Sequence, residues 1–489
     1  MNDRINEHII VIFGASGDLA KYKLLPSIYN IFRKNRLNGK QLVLGAGRSH
    51  ISDKDFRAII AKELQLNFPE ELESINTFCR NLFFQTLDTS DESDYIKIKD
   101  RLSSLQVKYN IKDNVLFYLS TPPKLYHKIP ECLAKFGLNN EKNGYKRIII
   151  EKPFGNSKRT AKDLNTHLLN FYKESQLFRI DHYLGKEAVQ NILVLRFANS
   201  IFESLWNANY IDNIQIYANE NIGIVNRGGY YDGVGAIKDM VQNHMLQLLC
   251  FTTMDKPVSL SSDDLRNEFI KVLKSISHMD DDMMAKNIVV GQYLGTSSQL
   301  SYLDEKNVNK NSTTETYVAM RLFINNSRWQ GMPIYIRTGK RLAEKTTEIV
   351  VNFKDKDNNQ LFLSNAKNNQ LIIRIQPDER IQLKIVGKEL GSGFKINPIE
   401  MSFSSKDTIN LKGASAYERL ITDALLGDNT WFVRDDAVEA AWGIIDPISD
   451  FLHRKGEEFL TYYDTGSHGP QEADALLSEY GHKWVNPSN

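Results

Sequence analysis

Short apolar runs alternate with helical stripes over the first third of the chain. His8 to Phe13 (HIIVIF) is an unbroken apolar, β-branched run, the pattern of a strand buried on both faces of a parallel sheet. Gly14 to Ala20 (GASGDLA) follows directly. Beyond it Leu24, Leu25, Ile28, Tyr29, Ile31 and Phe32 recur at helical spacing, and Pro26 is close enough to the first turn to be tolerated. Further strands are predicted at Gln41 to Leu44, Leu82 to Thr86, Asn114 to Leu119 and Arg147 to Ile150, separated by helical patterns. This βαβ succession over roughly the first 180 residues predicts a Rossmann-like, doubly wound parallel sheet, an α/β domain over residues 1–180.

Beyond Arg179 the rhythm changes. Helical segments at Ala188 to Trp206 and Ala236 to Met254 precede strand-like runs at Tyr317 to Phe323, Ile334 to Arg337, Thr347 to Phe353, Leu371 to Gln376 and Ile381 to Val386. Strands without intervening helices imply a mainly antiparallel sheet, hence a larger α+β domain over residues 181–489. Helices return at Tyr417 to Leu426 and Asp435 to Trp442, while Asp304 to Thr314 and Lys354 to Asn369 read as surface loops.

Charge narrows the classes of partner. Of 489 residues, 61 are Lys or Arg and 60 are Asp or Glu, which argues against nucleic acid or an anionic membrane as partner. The three cysteines, Cys79, Cys132 and Cys250, form no C-x-x-C pair, and no run approaches a membrane span. Polar Met1 to Glu7 and the short apolar run after it do not make a signal peptide, so a cytoplasmic protein is expected. No metal site is expected. Any anionic ligand must be held by local clusters of cations.

Two such clusters stand out. A glycine turn between a buried strand and a helix lets the backbone approach a pyrophosphate at the positive helix N-terminus, and Gly14-x-x-Gly17-x-x-Ala20 has that position. A tight turn without ligand is the plain alternative. At the end of the second strand an acid would bind the ribose 2′-hydroxyl of NAD, whereas a cation suits the 2′-phosphate of NADP. The chain offers Arg48 and no acid between Gln41 and Ser49, which favours NADP.

The second cluster begins with Glu151-Lys152-Pro153-Phe154-Gly155, where Lys152 follows a strand at the carboxyl end of the sheet. Arg179 to Glu187 (RIDHYLGKE) crowds polar and aromatic side chains next to a helix start; if 182–186 are helical, His182 and Lys186 share one face and grip one phosphate. His244 falls four residues after Met240, on or beside the apolar face of its helix. A satisfied core histidine is the plain reading of that position, yet burial also keeps imidazole neutral, as a general base requires.

Taken in order, GASGDLAKYKLLPSIYN, EKPFG, RIDHYLGKE, RGGYYDGVGAIKDMVQNH, YIRTGKRL, QPDE and AYERLITDALLGD resemble the signature blocks of the glucose-6-phosphate dehydrogenase family, over residues 14 to 428. The resemblance implies oxidation of D-glucose 6-phosphate at C1 to 6-phosphoglucono-1,5-lactone with hydride transfer to NADP, the first oxidative step of the pentose phosphate pathway. It makes His244 the general base and Asp181 the acid that orients and charge-stabilises it. His182, Tyr183 and Lys186 would bind the phosphate, and Glu220 and Asp239 the sugar hydroxyls, with Lys152, Lys340, Lys345 and Gln376 as further substrate contacts. Cofactor contacts would be Gly14, Ala15, Ser16, Gly17, Asp18, Leu19, Ala20, Lys21, Arg48 and Lys152, with Asp88 and Thr89 near the adenosine half. A homodimer or homotetramer is implied. The chain departs from the family's pattern at Asn226, Lys238, Asp435 and His468. A dehydrogenase of another sugar or sugar phosphate, and a non-catalytic NADP(H)-binding regulator on the same fold, are the alternatives.

Overall fold

A computed structural model describes residues 5–34, 37–354, 369–391, 393, 395–404 and 414–486. The middle of the loop expected at Lys354 to Asn369 therefore lies outside the described residues. The chain divides into two compact units, the first of residues 1–185, 259–266 and 413–439, the second of 186–258, 267–412 and 440–489.

The first unit is built on strands β1 (Ile5–Phe13), β2 (Leu37–Gly47), β3 (Leu82–Thr86), β4 (Val115–Leu119), β5 (Lys146–Ile150) and β6 (Leu177–Arg179). All pair in parallel, in the order β3-β2-β1-β4-β5-β6 of a dinucleotide-binding sheet. The unbroken apolar run of β1 is explained by its surroundings. Ile10 and Ile12 enter one apolar cluster with Val43, Leu116 and Ile149, while Ile9, Val11 and Phe13 enter another with Leu42, Leu44 and Phe117, so both faces are covered. Leu420, Ile421, Ala424 and Leu425 of the helix Ala416–Leu426 complete the first cluster, so a segment predicted with the second domain belongs to the core of the first unit.

The second unit carries β7 (Ile211–Asn219), β8 (Ile288–Tyr293), β9 (Tyr317–Leu322), β10 (Ile334–Gly339), β11 (Thr346–Phe353), β12 (Gln370–Gln376), β13 (Arg380–Lys388), β14 (Ile396–Ser404) and β15 (Leu460–Tyr463). They form one sheet in the order β14-β13-β12-β11-β7-β10-β9-β8-β15. It is mainly antiparallel, as expected, with two parallel pairs, β7 with β10 and β8 with β15. Because β10 runs with β7 and both run against β11, the ends of β7, β10 and β12 and the start of β11 fall at one end of the sheet.

Two predicted helices differ in detail. The run from Ala188 to Trp206 is two helices, Glu187–Ala198 and Ser200–Leu205. Asn199 stands between them in extended conformation, and its side-chain amide donates to the carbonyls of Val194 and Leu195, which satisfies the end of the first helix. The run from Ala236 to Met254 is continuous, but π-helical over Ile237–Met245 before becoming α-helical over Leu246–Thr253. Among the described residues no helix is long and apolar enough to cross a membrane.

Candidate active site

The glycine turn closes the end of β1. Gly14 has φ +81° and a Cβ there would lie 2.1 Å from the backbone oxygen of Ser120, so only glycine fits. The amides of Gly14 and Ala15 both reach the carbonyl of Ala46 on β2, at 2.8 and 3.3 Å, and Gly17 turns back onto the Gly14 carbonyl at 2.9 Å. Ala15 and Ala20 are buried; Ser16, Gly17 and Asp18 face solvent, Leu19 and Lys21 are half-buried, and Ala20–Leu24 forms a single π-helical turn leading into the helix Leu25–Arg33. Lys21 lies 3.9 Å from Glu63.

Arg48 is exposed just past β2. Beside it, the Ser49 hydroxyl bonds the Ser16 hydroxyl at 3.2 Å, and the Thr86 hydroxyl donates to the Ser49 carbonyl at 3.0 Å. Asp88 accepts from the Ser90 hydroxyl and amide at 2.6 and 2.9 Å; these bonds hold its carboxyl below the ordinary range, and Arg48 adds to the effect. Arg48, Ser16 and Asp88 thus converge at the carboxyl ends of β1 to β3. Thr89 is buried, its carbonyl accepting from the Tyr95 hydroxyl at 2.9 Å. A turn in which Gly14 admits no Cβ and Ser16 to Asp18 face solvent, with an unburied guanidinium beside it, fits a pyrophosphate and a 2′-phosphate.

On the other half of the same sheet, Lys152 follows β5 and Asp181 follows β6. These neighbouring strands stay paired to their ends, with the Ile180 amide on the Ile150 carbonyl at 2.9 Å. Asp181 is buried and its Oδ1 accepts from the Tyr183 amide at 2.9 Å, which fixes the carboxylate in the turn. Tyr183 is buried and His182 half-buried, their rings 5.3 Å apart. Residues 182–185 form turns, and the helix starts only at Glu187, so the helical-face argument for pairing His182 with Lys186 does not hold. Glu151, to which the sequence pattern gives no role of its own, accepts from the Tyr118 hydroxyl at 2.5 Å. Desolvation pushes its carboxyl up to about 7, with Tyr118 and Lys152 opposing the shift and Asp181 adding to it.

In the second unit the expected substrate residues gather at the sheet end defined above. Glu220 follows β7, Lys340 follows β10, Lys345 precedes β11, and Gln376 ends β12. Lys340 is 9% exposed; its ammonium pairs closely with Glu220 and lies 3.6 Å from Asp239 and 5.5 Å from the centre of the Tyr231 ring. Lys186 donates to Gln376 at 2.8 Å, and Gln376 donates to the Thr347 hydroxyl at 2.8 Å. Thr347 was not singled out, because a threonine in a strand carries no distinguishing signal. Lys345 is exposed, one residue beyond the paired Thr346 and Asn219. Asp239 and His244 both lie on the π-helical segment, 8% and 2% exposed.

A family model described as glucose-6-phosphate dehydrogenase, NAD binding domain, matches residues 11–191, and one described as glucose-6-phosphate dehydrogenase, C-terminal domain, matches residues 193–485. The chain belongs to the glucose-6-phosphate dehydrogenase family. Its relatives include the glucose-6-phosphate 1-dehydrogenases of Aggregatibacter actinomycetemcomitans, 46% identical over 98% of this chain and 97% of the relative, and of Bacillus subtilis strain 168, 39% identical over 98% of each. A solved structure of a glucose-6-phosphate dehydrogenase in complex with its substrate glucose-6-phosphate superposes with a TM-score of 0.91 at 34% identity, covering 99% of each chain. Family membership accounts for both sheets and for the order of the sequence blocks along them.

Proposed function

We infer that this member of the family oxidises D-glucose 6-phosphate at C1 to 6-phosphoglucono-1,5-lactone with NADP as acceptor, the entry reaction of the pentose phosphate pathway. The observation that carries the reading is the gathering of Lys186, Gln376, Lys340, Glu220 and Asp239 at one sheet end in a chain alike over 99% of its length to a substrate-bound glucose-6-phosphate dehydrogenase.

Each role follows from side-chain chemistry. Lys186, with His182 and Tyr183, binds the phosphate dianion. Glu220 and Asp239 accept from sugar hydroxyls, and Lys340 balances their charge where its own burial and that of Asp239 weaken screening by water. Lys345 and Gln376 complete the polar wall, and Lys152 serves both ligands. His244 takes the proton of the C1 hydroxyl as C1 gives up its hydride; its burial favours the neutral imidazole that accepts a proton. Asp181 stabilises the resulting imidazolium. Bound NADP supplies the hydride acceptor. Residues Gly14 to Lys21 and Lys152 hold its pyrophosphate and nicotinamide side, Arg48 its 2′-phosphate, and Asp88 and Thr89 border the adenosine half.

The domains expected over 1–180 and 181–489 correspond to the two units: the first, 1–185 with 259–266 and 413–439, reads as the NADP domain and the second as the substrate and oligomerisation domain. A cytoplasmic homodimer or homotetramer fits. Edge strand β14 exposes Ile399, Met401 and Phe403 by 46 to 49%, a row of apolar side chains suited to a second copy. Initial rates followed by NADPH absorbance with glucose 6-phosphate, glucose and galactose 6-phosphate test the reading. Turnover is expected with glucose 6-phosphate alone; equal rates with free glucose, or no turnover despite NADP binding, would reject it.

A further inference from the structure

Asp239 and His244 are five residues apart, a spacing that an ordinary helix does not put to common use. At about 100° per residue in an α-helix, positions five apart point roughly 140° away from each other. A π-helix bonds i to i+5, with about 4.4 residues per turn, so the same two positions fall within roughly 50°. The segment carrying them, Ile237–Met245, is π-helical throughout, and it reverts to α-helix at Leu246, just past His244. Widened turns are rare and usually one turn long. Something must hold this one open.

Asn243 has the bonds to do it. Its side-chain amide nitrogen donates to the carbonyl of Lys238 at 3.3 Å, and its side-chain oxygen accepts from the backbone N–H of His244 at 2.6 Å. The first bond anchors the peptide unit joining Lys238 to Asp239. The second takes the N–H that would otherwise seek the carbonyl of Met240 and tighten the turn to α geometry. At the start of the segment Glu315 fixes the other end, accepting the Ile237 N–H at 3.0 Å.

We propose that Asn243 is a positioning residue that holds the π-helical turn open, so that Asp239 and His244 present their side chains to one substrate. This rests on the reading of His244 as the base and Asp239 as a sugar ligand. Both bonds of the Asn243 side chain run to the backbone, so its action on Asp239 and His244 is through the backbone.

The test compares Asn243→Leu, Asn243→Asp and His244→Asn with the wild type in the full chain. Asn243→Leu removes both bonds; Asn243→Asp keeps the acceptor for the His244 N–H. For Asn243→Leu we expect kcat to fall about 100-fold, the cost of an ångström-scale misplacement, and KM for glucose 6-phosphate to rise several-fold, with KM for NADP within about twofold. Asn243→Asp should recover at least about tenfold of the lost kcat. A kcat for Asn243→Leu within about threefold of wild type overturns the proposal, as does an Asn243→Asp no better than Asn243→Leu with KM for NADP raised equally. If Asn243→Leu does not fold, the Asn243→Asp comparison decides: wild-type rates support the acceptor bond, and a 100-fold loss at unchanged melting temperature overturns its sufficiency and the proposal with it. His244→Asn separates the two levels. If it keeps its rate, the assignment of the base fails; if it loses its rate while Asn243→Leu keeps it, only the proposal fails.

Discussion

Arg48 bears on cofactor choice through a single charge. It is exposed, borders Ser49 and Asp88, and contributes to holding the Asp88 carboxyl ionised. Its replacement by alanine removes a cation at the end of β2, so Arg48→Ala should raise KM for NADP by one to two orders of magnitude, roughly the worth of a charge-assisted bidentate contact, while KM for NAD changes little. Steady-state kinetics with both dinucleotides measure this, and equal weakening of both would detach Arg48 from the 2′-phosphate. This position was readable from sequence as a candidate because Arg48 directly follows a strand end, with no acid between Gln41 and Ser49. Glu151 and Thr347 were not, since their partners Tyr118 and Gln376 are 33 and 29 residues away and only folding brings them together.

At the scale of elements, the helix start before Asp239 depends on Gly235. It has φ +68°, and a Cβ there would lie 2.3 Å from the Glu315 carboxylate that caps Ile237. Gly235→Ala should therefore displace Glu315 and loosen the π-helical segment, lowering kcat at least tenfold while leaving NADP binding by the first unit unchanged; fluorescence titration with NADPH alongside the rate assay separates the two effects. Long apolar runs such as β1 and β4 were legible because burial on both faces leaves no other pattern. The three-residue β6 was too short to register, and β7 escaped because Asp212, Asn213, Gln215 and Asn219 interrupt its apolar residues. The π-helical widening left no mark in apolar periodicity, since its buried Ile237, Met240, Val241 and Met245 and half-buried Lys238, Gln242 and Asn243 keep a spacing that an ordinary α-helix gives as well.

Across the whole molecule, a buried histidine in the central strand of the first sheet ties stability to pH. His8 is 0% exposed, its Nδ1 is 2.7 Å from the Asn6 carbonyl, and desolvation pushes its pKa down to about 4. The unfolded chain takes up this proton near 6.5, so stability from the neutral ring is complete above that pH and drains away as pH falls toward 4, by at most about 3 kcal/mol. Urea unfolding at several pH values should show a wild-type slope exceeding that of His8→Phe by up to about one proton over this window. Identical slopes would place the charge elsewhere.

The return of residues 413–439 to the first unit has a consequence in time. Leu420, Ile421, Ala424 and Leu425 complete a sheet face that the helices Leu25–Arg33, Asp53–Asn67 and Leu72–Cys79 cover only in part, so during synthesis an apolar patch of that face stays open while about 230 more residues are added, on the order of ten to fifty seconds at cellular translation speeds. A nascent chain in that interval is a natural client for holding chaperones. Expressed alone, residues 1–185 should bind an apolar dye and precipitate, and a peptide of residues 413–439 supplied in trans should suppress both.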